Sequence, residues 1–420
     1  MKLLREADKK KLLERFIKYV KIHTTSDVKA ADSGVQPSTE RQWDLAKLLA
    51  AEMKEICLQD VQITDRCYVY GFLPASDGSE LSPTFCLMAH MDTAGDVSGE
   101  NVKPNIITGY DGNPVKLKCN VTLDPANDKA LALAAKEKDT VITTDGTTLL
   151  GADDKAGIAE IMTALSFLAK NKEIKHGKIE VLFSPDEETG HGMDNVPLKL
   201  LSSKRAYTVD GGHIGEIEDE CFTAYKSDVT FTGHAVHTGT AREGGLVNAV
   251  TMAANFVASL PRHEAPETTD SFQGFYAPLE ITSSVERSYV LLLLRDFTDE
   301  GMERRKNFIT DLANITAASF GGKAEVVHTK QYLNMKKKLD EHPEVMADLY
   351  KAYEKAGINP VKKPIRGGTD GSRLTEMGIP TPNIFTGGHN YHSRNEWASL
   401  SQMTAAVEVL IHLALIIGEN

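Results

Sequence analysis

Near the start of the chain, the apolar positions Leu12, Leu13, Phe16 and Val20 recur at a period close to 3.6 and predict an amphipathic helix. A second helix is expected over 42–56. Short apolar runs at 68–73 and 84–89 read as strands. The stretch 110–115 reads as loop or hairpin, and 124–139, rich in alanine and charge, as helix or surface excursion. After VITTDGTTLLGADDKAG (141–157) comes a helix whose apolar face is Ile158, Ile161, Met162, Leu165 and Leu168. The run 179–183 is a buried strand, and 206–209 is another that ends at Asp210. Strand, helix and strand alternate at βαβ spacing. The expected fold is therefore α/β, a mixed and mostly parallel sheet flanked by helices.

The pattern changes near residue 219. Positions 221–232 alternate like an antiparallel strand, 246–259 is helical, 289–294 is a strand and 302–318 is helical again. Two strands and two helices in roughly a hundred residues predict a small inserted α+β domain. Past 333 the chain resumes helices between glycine-rich turns, at 344–356 and in a long apolar stretch at 400–417. The expected organisation is a catalytic domain from 1–218 and 333–420, interrupted by an α+β lid or dimerisation-type domain at 219–332.

Composition narrows the function classes. The chain has 420 residues and a formal charge of -12. Nucleic-acid binding needs concentrated positive charge to displace counterions, so that class is disfavoured. Five cysteines, Cys57, Cys67, Cys86, Cys119 and Cys221, are odd in number, widely spaced and without a CxxC pair, which fits a reducing compartment. The start, MKLLREADKKKLLERF, is too charged for a signal-peptide core. No run is expected to reach the ~18 apolar residues of a membrane span. The expectation is a cytoplasmic protein with no membrane partner.

Five short stretches place hard metal-type ligands within or just beyond an apolar or turn-forming run. They are LMAHMD (His90, Asp92), LLGADDK (Asp153, Asp154), VLFSPDEE (Asp186, Glu187, Glu188), YTVDGG (Asp210) and GGHNYHSRNE (His389, His392, Glu396). One acid at a strand end is a cap or a turn. Several acids and histidines gathered at the carboxyl ends of one sheet would leave unpaired like charges unless a cation joined them. Two histidines mixed with carboxylates suit zinc, with cobalt or manganese as similar ions. The supply of ligands suffices for two ions held ~3.5–4 Å apart by a bridging carboxylate, a spacing suited to hydrolysis.

Those stretches resemble the M20 family of metallopeptidases. The resemblance spans essentially the whole chain. It rests on HMDT (90–93), TTDGTTLLGADDKAGIAEIMTAL (143–165), FSPDEETG (183–190), AYTVDGG (206–212), GHAVHTGTA (233–241), PIRGGTDGSRL (364–374) and the His392 region, in that order. It implies His90 and Asp210 on one metal, Glu188 and His392 on a second, and Asp153 rather than Asp154 as the bridge. It makes Glu187 the general base for a water held between two zinc ions, and Asp92 the acid behind His90. His389 competes with His392, and the family pattern favours His392.

Within the insert, the resemblance makes His237 a donor to the substrate carbonyl oxygen, within its own chain or across a homodimer. Asn248 is a substrate contact by the same token, or equally a packing or capping residue. Arg366 is either a fork for a peptide's terminal carboxylate or a member of a surface ion pair. The implied activity is release of the N-terminal residue from tripeptides, with short peptides as the partners. The alternatives are a related two-metal dipeptidase, carboxypeptidase or N-acyl amino acid deacylase.

Overall fold

The computed structural model describes residues 3–419. These form two compact units. One comprises Met1–Asp219, Lys337–Lys363 and Thr369–Asn420, and the other Glu220–Lys336 with Pro364–Gly368.

The first unit is built on an eight-stranded sheet. Its strand order is Gln59–Ile63, Val69–Leu73, Ile179–Ser184, Phe85–His90, Ala206–Gly211, Asn383–Phe385, Glu216–Glu218 and Val361–Lys362. The four central strands, from Ile179–Ser184 to Asn383–Phe385, run parallel to one another, and the strands flanking them pair antiparallel. FCLMAH and IEVLFS are buried at every position, as expected for strands covered on both faces. The α/β expectation, a mixed and mostly parallel sheet, therefore holds.

Helix Ala152–Lys170 packs on strands Phe85–His90 and Ala206–Gly211. Its Gly157 permits this approach, since a Cβ there would lie 1.9 Å from the Val209 carbonyl oxygen. The N-terminal helix Glu6–Val20 buries Leu12, Phe16, Tyr19 and Val20. Helix Leu400–Gly418 is, by length and composition, apolar enough to cross a membrane, which the sequence reading did not anticipate. It packs instead against Glu6–Val20, Ala152–Lys170 and Pro343–Ala356, with 72% of its apolar window buried, as a core helix.

A small sheet in the same unit has the strand order Gly388–His389, Trp397–Ser399, Val141–Thr143 and Asn105–Ile107. It brackets the His392 loop between its first two strands. Its third strand leads into the loop that carries Asp153.

The second unit is a four-stranded antiparallel sheet in the order Phe275–Ser283, Arg287–Asp296, Thr223–Thr232 and Lys323–Tyr332. Helices Ala249–Ala258 and Asp299–Ser319 cover it, and Phe231, Met252, Phe256, Leu292, Leu294 and Ile309 are among the residues of its core. The two central strands are those the alternation at 221–232 and the apolar run 289–294 predict, and both edge strands carry no such signal. FYAPLEITS contains a proline and is exposed over its second half, and KAEVVHTKQY is largely polar. Edge strands tolerate both features, so neither presents the apolar run of a central strand.

Candidate metal centre

The parallel strands end on one edge of the main sheet, and the acids and histidines of the first unit are delivered there. His90 closes its strand, Asp210 is the penultimate residue of strand Ala206–Gly211, and Glu187 and Glu188 follow Ile179–Ser184 in a short 3-10 turn. Asp153 and Asp154 sit at the head of helix Ala152–Lys170 with non-helical backbone. His392 takes a left-handed φ of +58° in its loop, a conformation that costs a non-glycine residue and turns the side chain.

Asp153 lies between the two histidines. Its Oδ1 is 2.8 Å from His90 Nε2, and its Oδ2 is 3.2 Å from His392 Nε2. Asp210 Oδ1 stands 3.6 Å from His90 Nε2, and Glu188 Oε2 stands 3.0 Å from His392 Nε2. The other oxygen of Glu188 is buried without a hydrogen-bond partner. Two groups of ligand atoms each lie within 4.8 Å of one another: His90, Asp153 and Glu188, and His90, Asp154 and Asp210. Asp154 is braced elsewhere, because its carboxylate accepts the backbone N–H of His90 and of Gly157, each at 3.2 Å.

Positive charge is what this cluster lacks. Burial, with Asp153 beside it, pushes the Glu188 carboxyl up to about 7. Burial also lifts Asp210 to about 6 against the pull of His90. Glu187 is raised well above its ordinary value, by burial first and by the carboxylates around it. The histidines move the same way. Hydrogen bonds that Asp153 and Glu188 accept from it push His392 up to about 11, and His90 is raised despite its burial by Asp210, Asp153 and Asp92. Protons are being drawn to positions where cations would satisfy the same oxygens. The donor set of two imidazole nitrogens and several carboxylates fits zinc, cobalt or manganese. Among the described residues there are thus two candidate metal-ligand clusters that share His90.

The surrounding groups fix the geometry. Asp92 is fully buried. It accepts the backbone N–H of Glu187 at 3.0 Å and of Glu188 at 3.2 Å. His90 Nδ1 faces the Asp92 carbonyl oxygen at 3.1 Å and its Oδ1 at 3.4 Å. One aspartate thus aims both a histidine and the paired glutamates. Asp186 turns the chain at φ +59° and accepts the Ser38 N–H and the Gln42 amide. Asp370 accepts the Ser184 hydroxyl at the strand end.

Glu396, grouped by sequence with the metal-type ligands, does something else. Its buried carboxylate accepts four backbone N–H groups, from Leu150, Gly151, Ala152 and Asp153, at 2.7–3.2 Å. It therefore ties the His392 loop to the Asp153 loop. Replacing Glu396 with alanine leaves those amides unsatisfied. The expected result is a loss of roughly 1–3 kcal/mol of stability in denaturant melts and a fall of about 10–100-fold in metal affinity.

His389 is also away from the ligand groups. Its Nδ1 is 3.0 Å from His213 Nδ1, its Nε2 is 3.0 Å from Gln402 Oε1, and its ring stacks on Trp397. Asp96, which the sequence reading missed, stands 3.3 Å from His392 Nδ1. An acid in a glycine-containing turn carries no mark that separates it from a surface residue.

The remaining candidates lie in the second unit. His237 is exposed, and its Nδ1 accepts the Gly239 N–H at 3.1 Å. A neutral ring in that state carries its proton on Nε2, where it can be donated. Asn248 caps helix Ala249–Ala258, its side chain accepting the Val250 N–H at 2.9 Å. Arg366 spends its fork on its own unit. Nη1 donates to the carbonyl oxygens of Ser271 and Gln273, each at 2.9 Å, and Nη2 donates to Thr269 Oγ1 at 2.9 Å. The guanidinium also lies over the rings of Phe222 and Phe275.

The profile of peptidase family M20/M25/M40 matches residues 139–416. Over 98% of its length the chain is 44% identical to Peptidase T of Clostridium perfringens, all of which is covered. The chain belongs to this peptidase family. The aminopeptidase PepT of Bacillus cereus superposes with a TM-score of 0.76 at 24% identity, covering 97% of this chain and 98% of that one. A tripeptidase of Staphylococcus aureus gives 0.75 at 22% identity, with 98% and 99% covered. These two likenesses speak to the fold. Family membership and the two ligand clusters together make this M20 protein a metal-dependent peptidase.

Proposed function

We propose that this M20 peptidase is a two-metal aminopeptidase that releases the N-terminal residue of tripeptides. The observation that supports the reading most strongly is Asp153, with one carboxylate oxygen toward each of two histidines and Glu187 outside both ligand groups. The substrate class is drawn from the relatives, among them the Peptidase T of Clostridium perfringens.

In this proposal His90 and Asp210 would hold one cation, Glu188 and His392 would hold the other, and Asp153 would contribute to both. Bound divalent cations supply Lewis-acid chemistry, lowering the pKa of a water and polarising a carbonyl. Glu187 takes the proton of the attacking water and delivers it to the nitrogen of the leaving peptide. Asp92 keeps Glu187 and Glu188 aimed through their amides and holds the His90 ring from behind. His237 donates from Nε2 to the carbonyl oxygen as negative charge develops there. In a homodimer that donor would serve the other chain, and a solution mass measurement decides whether such a pair exists. Asn248 is proposed as a cap first, with its amide nitrogen as the substrate contact. Arg366 is assigned first to holding the 269–273 loop. A grip on a terminal carboxylate would require those bonds to be exchanged. A cytoplasmic location belongs to the same proposal, supported by five free cysteines and read by cell fractionation.

The test is a panel of free-amine tripeptides, N-acetylated tripeptides and dipeptides, incubated with the zinc-loaded protein. Free-amine tripeptides should lose their first residue at least about 100-fold faster than the blocked ones, the discrimination expected when a site reads a polar group its competitor lacks. Cleavage of the blocked peptides alone would overturn the reading.

A further inference from the structure

Gln42 is a polar residue with no exposed surface, and it lies outside every stretch that carries a proposed ligand or base. It is the first residue of helix Gln42–Glu55, which packs on strands Gln59–Ile63 and Val69–Leu73. Both ends of its amide engage Asp186. Nε2 donates to Asp186 Oδ1 at 2.6 Å, and Oε1 accepts the Asp186 backbone N–H at 3.3 Å. A carboxylate only accepts and a backbone N–H only donates, so this pairing admits one orientation of the amide.

Asp186 is the residue before Glu187, and its conformation needs support. It is fully buried and turns the chain at a left-handed φ of +59°, which costs a non-glycine residue. Its Oδ1 accepts from Gln42 and from the Ser38 hydroxyl, and its Oδ2 accepts the Ser38 backbone N–H at 2.8 Å. Its carbonyl oxygen accepts the Thr189 hydroxyl at 2.8 Å and the His191 N–H at 3.1 Å, closing the turn that carries Glu187 and Glu188. Asp92 holds that turn through the amides of the two glutamates. Ser38 and Gln42 hold it one residue earlier, so the turn has two separate anchors.

The same N-terminal segment reaches the turn that follows His90. The Thr39 hydroxyl donates to the Thr25 carbonyl oxygen at 2.9 Å, and the Ser26 N–H donates to the Thr93 carbonyl oxygen at 3.2 Å. Residues 25–42 therefore tie the Asp92 turn to the Glu187 turn, and Gln42 fixes that strap to a helix packed on the sheet. A group on a packed helix is held more closely than one on a loop. An error of about 1 Å in a catalytic group costs about 10²-fold in rate.

We propose that Gln42, acting through Asp186, is the positioning residue for the turn that carries the base Glu187 and the ligand Glu188. The inference rests on the two-metal aminopeptidase reading and extends its machinery to a helix outside the ligand stretches. It implies an asymmetry between the two cations. The one assigned to Glu188 and His392 depends on the Gln42 contact, and the one assigned to His90 and Asp210 does not.

The experiment uses Gln42→Met, which keeps the length of the side chain and removes its hydrogen bonds, and Ser38→Ala, a milder change that removes one hydroxyl. Calorimetric titration of each metal-stripped full chain with zinc should show one of the two sites weakened by about 10-fold or more and the other unchanged. With Ala-Gly-Gly at saturating zinc, kcat of Gln42→Met should fall by about 10–100-fold while KM stays within about twofold. Ser38→Ala should lower kcat by about 5-fold, the worth of a single hydrogen bond. Equal weakening of both zinc sites would mean that Gln42 only supports the fold and would overturn the proposal. Wild-type zinc binding and wild-type kcat in both variants would overturn it as well. Should Gln42→Met fail to fold, Ser38→Ala decides on the same two readouts. A wild-type protein that binds two zinc ions yet does not release the first residue of Ala-Gly-Gly overturns the aminopeptidase reading instead, and the zinc titrations still decide whether Gln42 holds Glu188.

Discussion

Glu187→Gln lowers kcat by about 10²–10⁴-fold, the usual contribution of a positioned general base, while two metal ions per chain remain bound. Glu188 points an oxygen at His392, 3.0 Å from Nε2. Glu187 is in neither ligand group, although its backbone N–H is held by the same Asp92 carboxylate that holds Glu188. A base must be unligated and within reach of the proton it removes. Burial and the surrounding carboxylates raise the Glu187 pKa well above its ordinary value, and cations at the neighbouring oxygens act in the opposite sense. Those opposed influences suit a group that must accept a proton and then release it. Glutamine keeps the shape and removes the basic oxygen. Metal analysis of the variant separates loss of the base from collapse of the centre. Near-wild-type kcat with two ions bound would remove Glu187 from the role, and loss of the ions would show that it helps to hold them.

The elements that carry the centre were legible because burial leaves a strong imprint. FCLMAH and IEVLFS are apolar runs with a polar terminus, and the period of Ile158, Ile161 and Leu165 survives in a helix that is buried almost throughout. Strands at sheet edges were not legible. QDVQI at 59–63, like FYAPLEITS and KAEVVHTKQY, meets solvent on one side and carries no such run. Residue types also left partner choice open. His389 and His392 sit three apart in one loop. Only the backbone's turn at φ +58° and the stacking of His389 on Trp397 separate an exposed nitrogen facing Asp153 from a buried ring facing Gln402. Glu396 and Arg366 illustrate the same limit. A carboxylate can bind a metal or gather four amides, and a guanidinium can grip a substrate or its own loop. The difference lies in coordinates that sequence spacing does not contain.

Asp153→Asn is expected to abolish binding of both ions, whereas His392→Ala should remove only one. Asp153 alone presents an oxygen to each histidine, at 2.8 Å and 3.2 Å. The 3.6 Å contact of Asp210 is with His90, and the 3.0 Å contact of Glu188 is with His392. Asparagine preserves volume but replaces one anionic oxygen with an amide nitrogen that repels a cation, and the remaining oxygen cannot serve two positions. The change should be visible without any assay of turnover. An ion that binds only the folded state stabilises it by about 2.7 kcal/mol at a concentration of 100 Kd. Zinc should therefore raise the melting temperature of the wild-type chain by several degrees and leave that of Asp153→Asn nearly unmoved. The metal-free variant should not be more stable than the metal-free wild type. In that state the Asp153 carboxylate is held well below its usual pKa by His392 and His90 despite its burial, so its charge is already favourably placed. A gain in metal-free stability would mean that repulsion among Asp153, Asp210 and Glu188 outweighs both histidines. Two ions retained at wild-type affinity in Asp153→Asn would mean that the shared carboxylate is a different residue, with Asp154, one position on and within 4.8 Å of His90 and Asp210, the group to replace next.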